Sequence, residues 1–108
     1  MQEPTFLILA ALAEGKKHGY ALIAEASDMS EGRVQLRVGT LYAALDRLAK
    51  EGLVSRAGDE VADGRLRRYY ELTKVGTEAL EVEIRRMRVL AAGATARLRH
   101  RPVGMATA

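Results

Sequence analysis

Two short runs carry the polar chemistry of this chain. In Gly39-Thr40-Leu41-Tyr42 two hydroxyls follow a glycine, and in Arg65-Leu66-Arg67-Arg68-Tyr69-Tyr70 guanidinium groups stand beside the turn pair Asp63-Gly64. Hydroxyls in the first turn of a helix, together with the free backbone N–H groups there, donate to phosphate oxygens or base edges. Arginines beside a tight turn can reach phosphates or a narrow minor groove. The candidates for such contacts are Arg37, Thr40, Tyr42, Arg47 and Lys50 on or just before one helix, with Arg65 and Arg67 on a hairpin. Plainer roles stay open beside these: Tyr42 can cover apolar surface, Lys50 can pair with Asp46 at i, i+4, and Arg47 can pair within the helix. Tyr70, in register with Leu72, reads as core. The helix is close to neutral, which leaves base-specific contacts from it open.

These groups need a helix and a hairpin to hold them. Leu41, Leu45 and Leu48 fall at i, i+4 and i+7 and face a core, while Thr40, Ala43, Arg47 and Lys50 share the opposite side with Tyr42 and Asp46 flanking it. Gly52 suits the left-handed position after the helix, with Leu53 folding back on its end. Leu53 to Asp59 and Arg65 to Leu72 predict two hairpin strands joined by Glu60-Val61-Ala62-Asp63-Gly64. Thr73 can cap a last helix, Lys74 to Arg99, on the order of 40 Å long. Helix, hairpin, helix in that order is the layout of a winged helix-turn-helix, whose helix is sized for a DNA major groove.

Upstream, Pro4 opens a helix through Phe6 to Ala13 that stops at Gly15 and is apolar all round. Such a helix is either a central core element or meets another subunit, with Phe6 and Leu9 as its contacts. His18-Gly19-Tyr20 opens a second helix, with Tyr20, Leu22, Ile23 and Ala26 inward and an end near Ser27-Asp28. Arg33 to Val38 alternates with period two and predicts a short half-buried strand that Gly39 breaks. The last helix repeats apolar residues at two interleaved seven-residue spacings, Leu80, Met87, Ala94 and Ile84, Ala91, Leu98, a seam that wants a partner helix. Arg85, Arg86 and Arg88 are expected to flank it and pair with Glu78, Glu81 and Glu83. The fold class is therefore mainly α with a small β-hairpin. Residues 1–73 form the winged helix-turn-helix, 74–99 a C-terminal dimerisation helix, and 100–108 a tail with little to pack, expected to be disordered.

Composition narrows the function. A chain of 108 residues supports one domain, and a domain that small buries only roughly 60–65% of its unfolded surface, which favours a partner subunit. Residues 1–60 hold 7 Lys/Arg against 9 Asp/Glu and residues 61–108 hold 10 against 5, so the net +3 comes entirely from the wing onward. That bias suits a polyanion partner. No cysteine is present, which removes disulfide frameworks and thiolate metal sites and fits a reducing cytoplasm. The longest apolar run, Phe6 to Ala13, is too short to cross a bilayer and follows Glu3 rather than a basic segment. With His18 and His100 far apart and no Gly-rich phosphate loop, neither an enzyme, a metal site nor a cofactor is expected. A winged-helix adaptor that binds protein rather than DNA is the alternative.

The chain resembles the PadR family of bacterial transcriptional regulators over about residues 5–98. The resemblance rests on His18-Gly19-Tyr20, Gly39-Thr40-Leu41-Tyr42, Leu45 to Leu53 with Glu51-Gly52, Arg67-Arg68-Tyr69-Tyr70-Glu71-Leu72-Thr73, and Gly76. Its single helix after the wing is similar to the shorter branch of that family. The resemblance implies a homodimer held by the first and last helices, bound to a pseudo-palindromic DNA operator as a repressor. It makes Tyr20 a phosphate contact, and it implies that a small apolar or aromatic effector at the dimer interface can act as a ligand, although this chain has no tryptophan and a single phenylalanine, Phe6. The implied interface comprises Phe6, Leu9, Leu80, Ile84, Met87, Ala91, Ala94 and Leu98.

Overall fold

A computed structural model describes residues 1–104. The end of the tail expected to be disordered, residues 105–108, lies outside the described residues, while Arg101 to Gly104 are exposed and join no helix or strand. The elements run α1 (Glu3–Leu12), β1 (Lys17–His18), α2 (Gly19–Met29), α3 (Val38–Lys50), β2 (Val54–Ala62), β3 (Arg65–Leu72) and α4 (Lys74–Arg99). The three strands form one antiparallel sheet in the order β1-β3-β2.

α1 starts with Pro4 in its first turn, where the missing N–H costs nothing. Ile8, Leu9, Leu12, Leu22, Leu41, Leu45 and Leu48 are the largest fully enclosed side chains, so α1 is the centre around which α2 and α3 pack. That is why its sequence lacks a polar face. Leu9 is at 0% exposure and therefore belongs to the protomer core rather than to a subunit interface. On α2 the inward side holds Leu22 and Ala26. Tyr20 is a correction to the inward set, because it is 58% exposed.

Arg33 to Val38 is not a strand. The edge of β3 at Tyr69 and Tyr70 is taken by Lys17 and His18, and the segment pairs with none of the three strands. Its N-terminal end is instead tied down locally: the Val34 N–H donates to Ser30 Oγ at 2.9 Å, and Gln35 Nε2 donates to Ser27 Oγ and to the Gly32 carbonyl, both at 3.0 Å. Arg37 then serves as the extended N-cap residue of α3. Val34 and Leu36 are partly buried while Gln35 and Arg37 are exposed, so the period of two reflects alternate burial of an unpaired segment.

α3 ends as its sequence requires. Gly52 sits at φ +78, its N–H donates to the Ala49 carbonyl, and the Leu53 N–H donates to the Leu48 carbonyl. This pair of bonds is the Schellman closure. The wing is tighter than the five-residue loop expected, since β2 continues to Ala62 and only Asp63 and Gly64, both at positive φ, make the turn. Between Arg56 and Asp59 the register slips, placing Ala57 and Gly58 opposite one residue of β3; Gly58 takes φ +92 at this bulge.

α4 leaves the wing through Thr73, whose Oγ1 accepts from the Gly76 N–H at 3.0 Å and donates to the Gly52 carbonyl at 2.6 Å. Gly76 lies so close to β2 that a Cβ there would stand 2.0 Å from the Leu53 carbonyl oxygen. On α4 only Gly76, Leu80 and Glu83 are buried. Of the flanking ion pairs expected, Arg86 with Glu83 forms, and hydrogen bonding from that guanidinium holds the Glu83 carboxyl below its ordinary range, against a smaller opposing effect of burial. From Arg85 to Arg99 every residue but the half-buried Gly93 is exposed. The molecule is correspondingly long, 63 × 27 × 21 Å.

Candidate nucleic-acid interface

The candidate contacts come from three elements whose ends converge. Tyr20 and Tyr42, from the starts of α2 and α3, and Arg65 and Arg67, from β3, line one concave pocket of about 210 Å3 together with His18, Gly19, Ile23, Val38, Leu41 and Leu66. No carboxylate lines it, so its polar groups are phenols, guanidiniums and an imidazole. That is the donor set a phosphate-bearing chain requires.

Local structure explains each placement. His18 ends β1 and caps α2, its Nδ1 accepting from the Ala21 N–H at 3.4 Å. This turn is fixed by the sheet, because His18 pairs with Tyr69 and meets its ring edge-on with centroids 5.4 Å apart. Tyr20 in the next turn thus projects outward from a fixed base. Gly19 is required beneath Tyr42: a Cβ at Gly19 would lie 2.7 Å from the Tyr42 hydroxyl and 3.3 Å from Leu41 Cδ2. Tyr42 is half-buried and also faces Tyr70 with centroids 6.5 Å apart. Its ring therefore covers apolar surface, the plainer of its two roles, while its hydroxyl lies at the pocket.

The remaining candidates separate by surroundings. Arg37, Thr40 and Lys50 are exposed. Arg37, Lys50 and Arg65 make no ion pair among the described residues, so the pairing of Lys50 with Asp46 does not form. Arg47 is committed elsewhere, with Nη2 donating to Thr5 Oγ1 at 3.0 Å and Nη1 to Glu51 Oε1 at 3.4 Å. Tyr69 lies on the outer face of the sheet beneath the Lys16 ammonium, 5.3 Å from ring centroid to Nζ. Its hydroxyl is raised above the usual tyrosine range chiefly by its hydrogen bond to Glu60. Tyr70 is core at 2% exposure.

Two parts of this site are not legible in the sequence taken locally. Leu66 and Val61 form an exposed cross-strand pair near the wing tip, at 59% and 73% exposure. The alternation Leu66, Arg68, Tyr70 was the available signal, since it sets Leu66 on the side of the core tyrosine. The bond from Arg47 to Thr5 spans 42 positions, and no local pattern announces a contact of that range. On the proposed interface side, Leu80 is buried within the protomer and Phe6 and Ile84 are half-buried. Met87, Ala91, Ala94 and Leu98 are exposed, with Met87 at 44% and Leu98 at 64%.

A recognition-sized helix packed on two others, with a hairpin wing beside its N-terminus, defines the winged helix-turn-helix class. The chain belongs to the transcriptional regulator PadR-like family, whose model matches residues 8–82. Among curated relatives it is 37% identical over 84 residues to the transcriptional regulator Rv3488 of Mycobacterium tuberculosis, covering 78% of this chain and 75% of that one. It is 33% identical over 70 residues to a Lysinibacillus sphaericus protein, covering 65% of this chain. The chain spans 64% of that relative's length and 22% of the length of a matching Streptomyces fradiae transposon protein. A PadR family regulator from Eggerthella lenta superposes with a TM-score of 0.72 at 27% identity, over 90% of this chain and 82% of that one. Bacillus subtilis PadR, crystallised with operator DNA, shares the fold at a TM-score of 0.67 and 18% identity, over 99% of this chain and 53% of that one. Members of the family are transcriptional regulators, not enzymes. No helix among the described residues is long and apolar enough to cross a membrane.

Proposed function

We propose that this regulator binds double-stranded DNA sequence-specifically as a homodimeric repressor on a pseudo-palindromic operator in the cytoplasm. The observation that carries this reading is the convergence of Tyr20, Tyr42, Arg65 and Arg67 on one carboxylate-free pocket beside the start of α3. α3 enters the major groove with Thr40 leading, Arg37 and Lys50 flank it, and the wing arginines meet the neighbouring backbone or minor groove. The B. subtilis relative bound to operator DNA supports this docking by its fold.

The dimer rests on α4. A solitary helical extension of some fifteen residues is marginal in water, yet Arg85 to Arg99 stands free of the protomer with Met87, Leu90 and Leu98 uncovered. Its charge favours an antiparallel partner. Glu78, Glu81 and Glu83 occupy the first part of the helix, and beyond Glu83 the helix has no acidic residue but five arginines. Antiparallel packing sets the arginines of one copy beside the glutamates of the other, whereas parallel packing would set like beside like. A groove of about 440 Å3 between α1, the end of α2 and α4 borders this seam; Phe6, Leu7, Met29 and Met87 give it an apolar side for a small effector, and Glu3, Arg33, Glu83 and Arg86 a charged one.

Selection of bound duplexes from a random pool with the purified protein tests the proposal. The expected product is an inverted repeat with half-site centres roughly 34–36 Å apart. Failure to enrich any sequence at low salt, with folded protein, overturns DNA recognition and leaves the adaptor reading.

A further inference from the structure

α1 and α3 are separated by a groove of about 550 Å3, whose walls include Pro4 and Ile8 on one side and Leu36, Ala44 and Leu53 on the other. Beneath it Ile8 shares the buried core with Leu41, Leu45 and Leu48, and the groove is the outer part of the contact that this packing leaves open. What crosses it is polar. Arg47 donates from Nη2 to Thr5 Oγ1 at 3.0 Å, while Nη1 donates to Glu51 one turn further along α3.

The two contacts differ in weight. Arg47 and Glu51 are both about half exposed, and pairs of that kind hold little. Thr5 is only 8% exposed and sits on the helix that forms the centre of the core. A buried hydroxyl on a rigid helix is a fixed anchor, and a hydrogen bond to a charged donor is among the stronger ones. Glu51 orients the guanidinium plane, and Thr5 receives it. A lysine has no second arm with which to reproduce this fork.

We infer that Arg47 is a positioning residue that fixes the recognition helix against α1, and through α1 and α4 sets the separation of the two recognition helices of the dimer. This rests on the DNA-binding reading. The position of Arg47 on the outer half of α3 suits a base reader, but its donors are used on the protein side. A small rotation of α3 about α1 is applied twice across the dyad, once per subunit, so the tie is felt as a preference for one half-site separation.

The test is a double-mutant cycle read by anisotropy on the operator that the unmodified protein selects from a random pool. Thr5→Val and Arg47→Ala should each weaken binding by about tenfold. The double variant should be no weaker than either single one, because one bond is broken in all three. Thr5→Ser keeps the hydroxyl and should bind like the unmodified protein, whereas Arg47→Lys should behave like Arg47→Ala. On operators with one base pair added or removed between half-sites, the unmodified protein should show a sharp optimum that both single variants flatten. A silent Thr5→Val, or losses from Thr5→Val and Arg47→Ala that multiply to about a hundredfold, would overturn the inference. So would a loss in Arg47→Ala confined to substitution of one base pair, which identifies a base reader. Failure of the DNA-binding reading itself shows earlier and separately, as no operator selected by the unmodified protein.

Discussion

Gly76→Ala is a severe perturbation made with a single methyl group. The added Cβ would lie 2.0 Å from the Leu53 carbonyl oxygen, 2.9 Å from the Leu53 carbonyl carbon and 2.8 Å from Leu72 Cδ1, where ordinary contact begins at 3.4 Å. Leu72 can rotate away. Leu53 cannot, because its carbonyl accepts the Thr73 N–H at 3.1 Å and its own N–H closes α3 on Leu48. The start of α4 must therefore move outward by an ångström or more, pulling Thr73 from the Gly52 carbonyl. Overpacking of this kind costs about 1–3 kcal/mol, and a disturbed N-cap adds about 1 kcal/mol. The gain in helix propensity from glycine to alanine returns at most about 1 kcal/mol. The net expectation is a loss of roughly 1–3 kcal/mol, or a fall in Tm of about 5–20 °C for a domain of this size. Gly93→Ala is the control on the same helix. There the nearest atom to a new Cβ is the flexible end of Arg97 at 3.4 Å, so only the propensity gain of about 0.5–1 kcal/mol remains and Tm should rise. Thermal melts at one fixed protein concentration compare the two, since a dimer's Tm depends on concentration. A Gly76→Ala protein that melts at or above the unmodified one would refute the close approach of α4 to β2.

Met87→Glu places a carboxylate in the α4 seam at a position half-exposed within the protomer, so it should halve the mass in sedimentation, with far-UV circular dichroism losing no more than the helical signal of the unpartnered end of α4; an intact dimer would move the interface elsewhere. Replacing Arg65 and Arg67 together by alanine frees up to four phosphates per dimer, and the log–log salt dependence of DNA binding should become shallower by about 0.9 for each phosphate no longer neutralised; an unchanged slope would mean that the wing does not meet the backbone. Glu83 is held below its ordinary pKa by Arg86, so the stability it contributes is present above the unfolded carboxylate value of about 4.3 and is lost as pH falls through its folded value. Glu83→Gln should accordingly flatten the decline of denaturation midpoints below about pH 4; an acid limb identical in both proteins would show the pair to be worth nothing.

The elements with strong local grammar were legible. Leu41, Leu45 and Leu48 at helical spacing, the Gly52 closure, the Asp63-Gly64 turn and the Thr73 cap all appear where residue chemistry puts them. What failed depended on competition between distant segments. Whether residues 17–18 or 33–38 would take the open edge of β3 is decided by tertiary docking, and a two-residue strand leaves no periodicity to detect. α1 illustrates a different limit. An all-round apolar helix is equally the signature of a core element and of an interface, and only packing showed Leu9 enclosed and Phe6 partly open. Tyr20 is a misread phase rather than a hidden contact: at about 100° per residue it lies on the side of α2 opposite Leu22 and Ala26, and it is exposed accordingly.

The charge pattern around α3 bears on how this protein distinguishes sequences. At about 100° per residue, Gly39, Ala43, Asp46 and Lys50 stand opposite the core leucines, and all four are exposed. Their charges cancel, and the first two are the smallest side chains available. A face of this kind attracts a polyanion weakly, but it lets the helix backbone approach base edges closely. Under the proposed function the attraction would come from the rim, where Arg37, Arg65 and Arg67 stand near the start of the helix. Cations that contact phosphates fix register and orientation and carry no sequence information. On the proposed DNA-binding reading, discrimination is then left to Thr40, the Tyr42 hydroxyl and the shape of the duplex that the two helices of the proposed dimer would accept. With Arg47 turned toward Thr5, few side chains remain to read bases directly. Substitutions that alter helix separation should therefore cost more specificity than removal of any single hydroxyl. A hydroxyl-deleted Tyr42→Phe that lost most discrimination, with Thr5→Val unaffected, would reverse that order and return specificity to the direct contacts of α3.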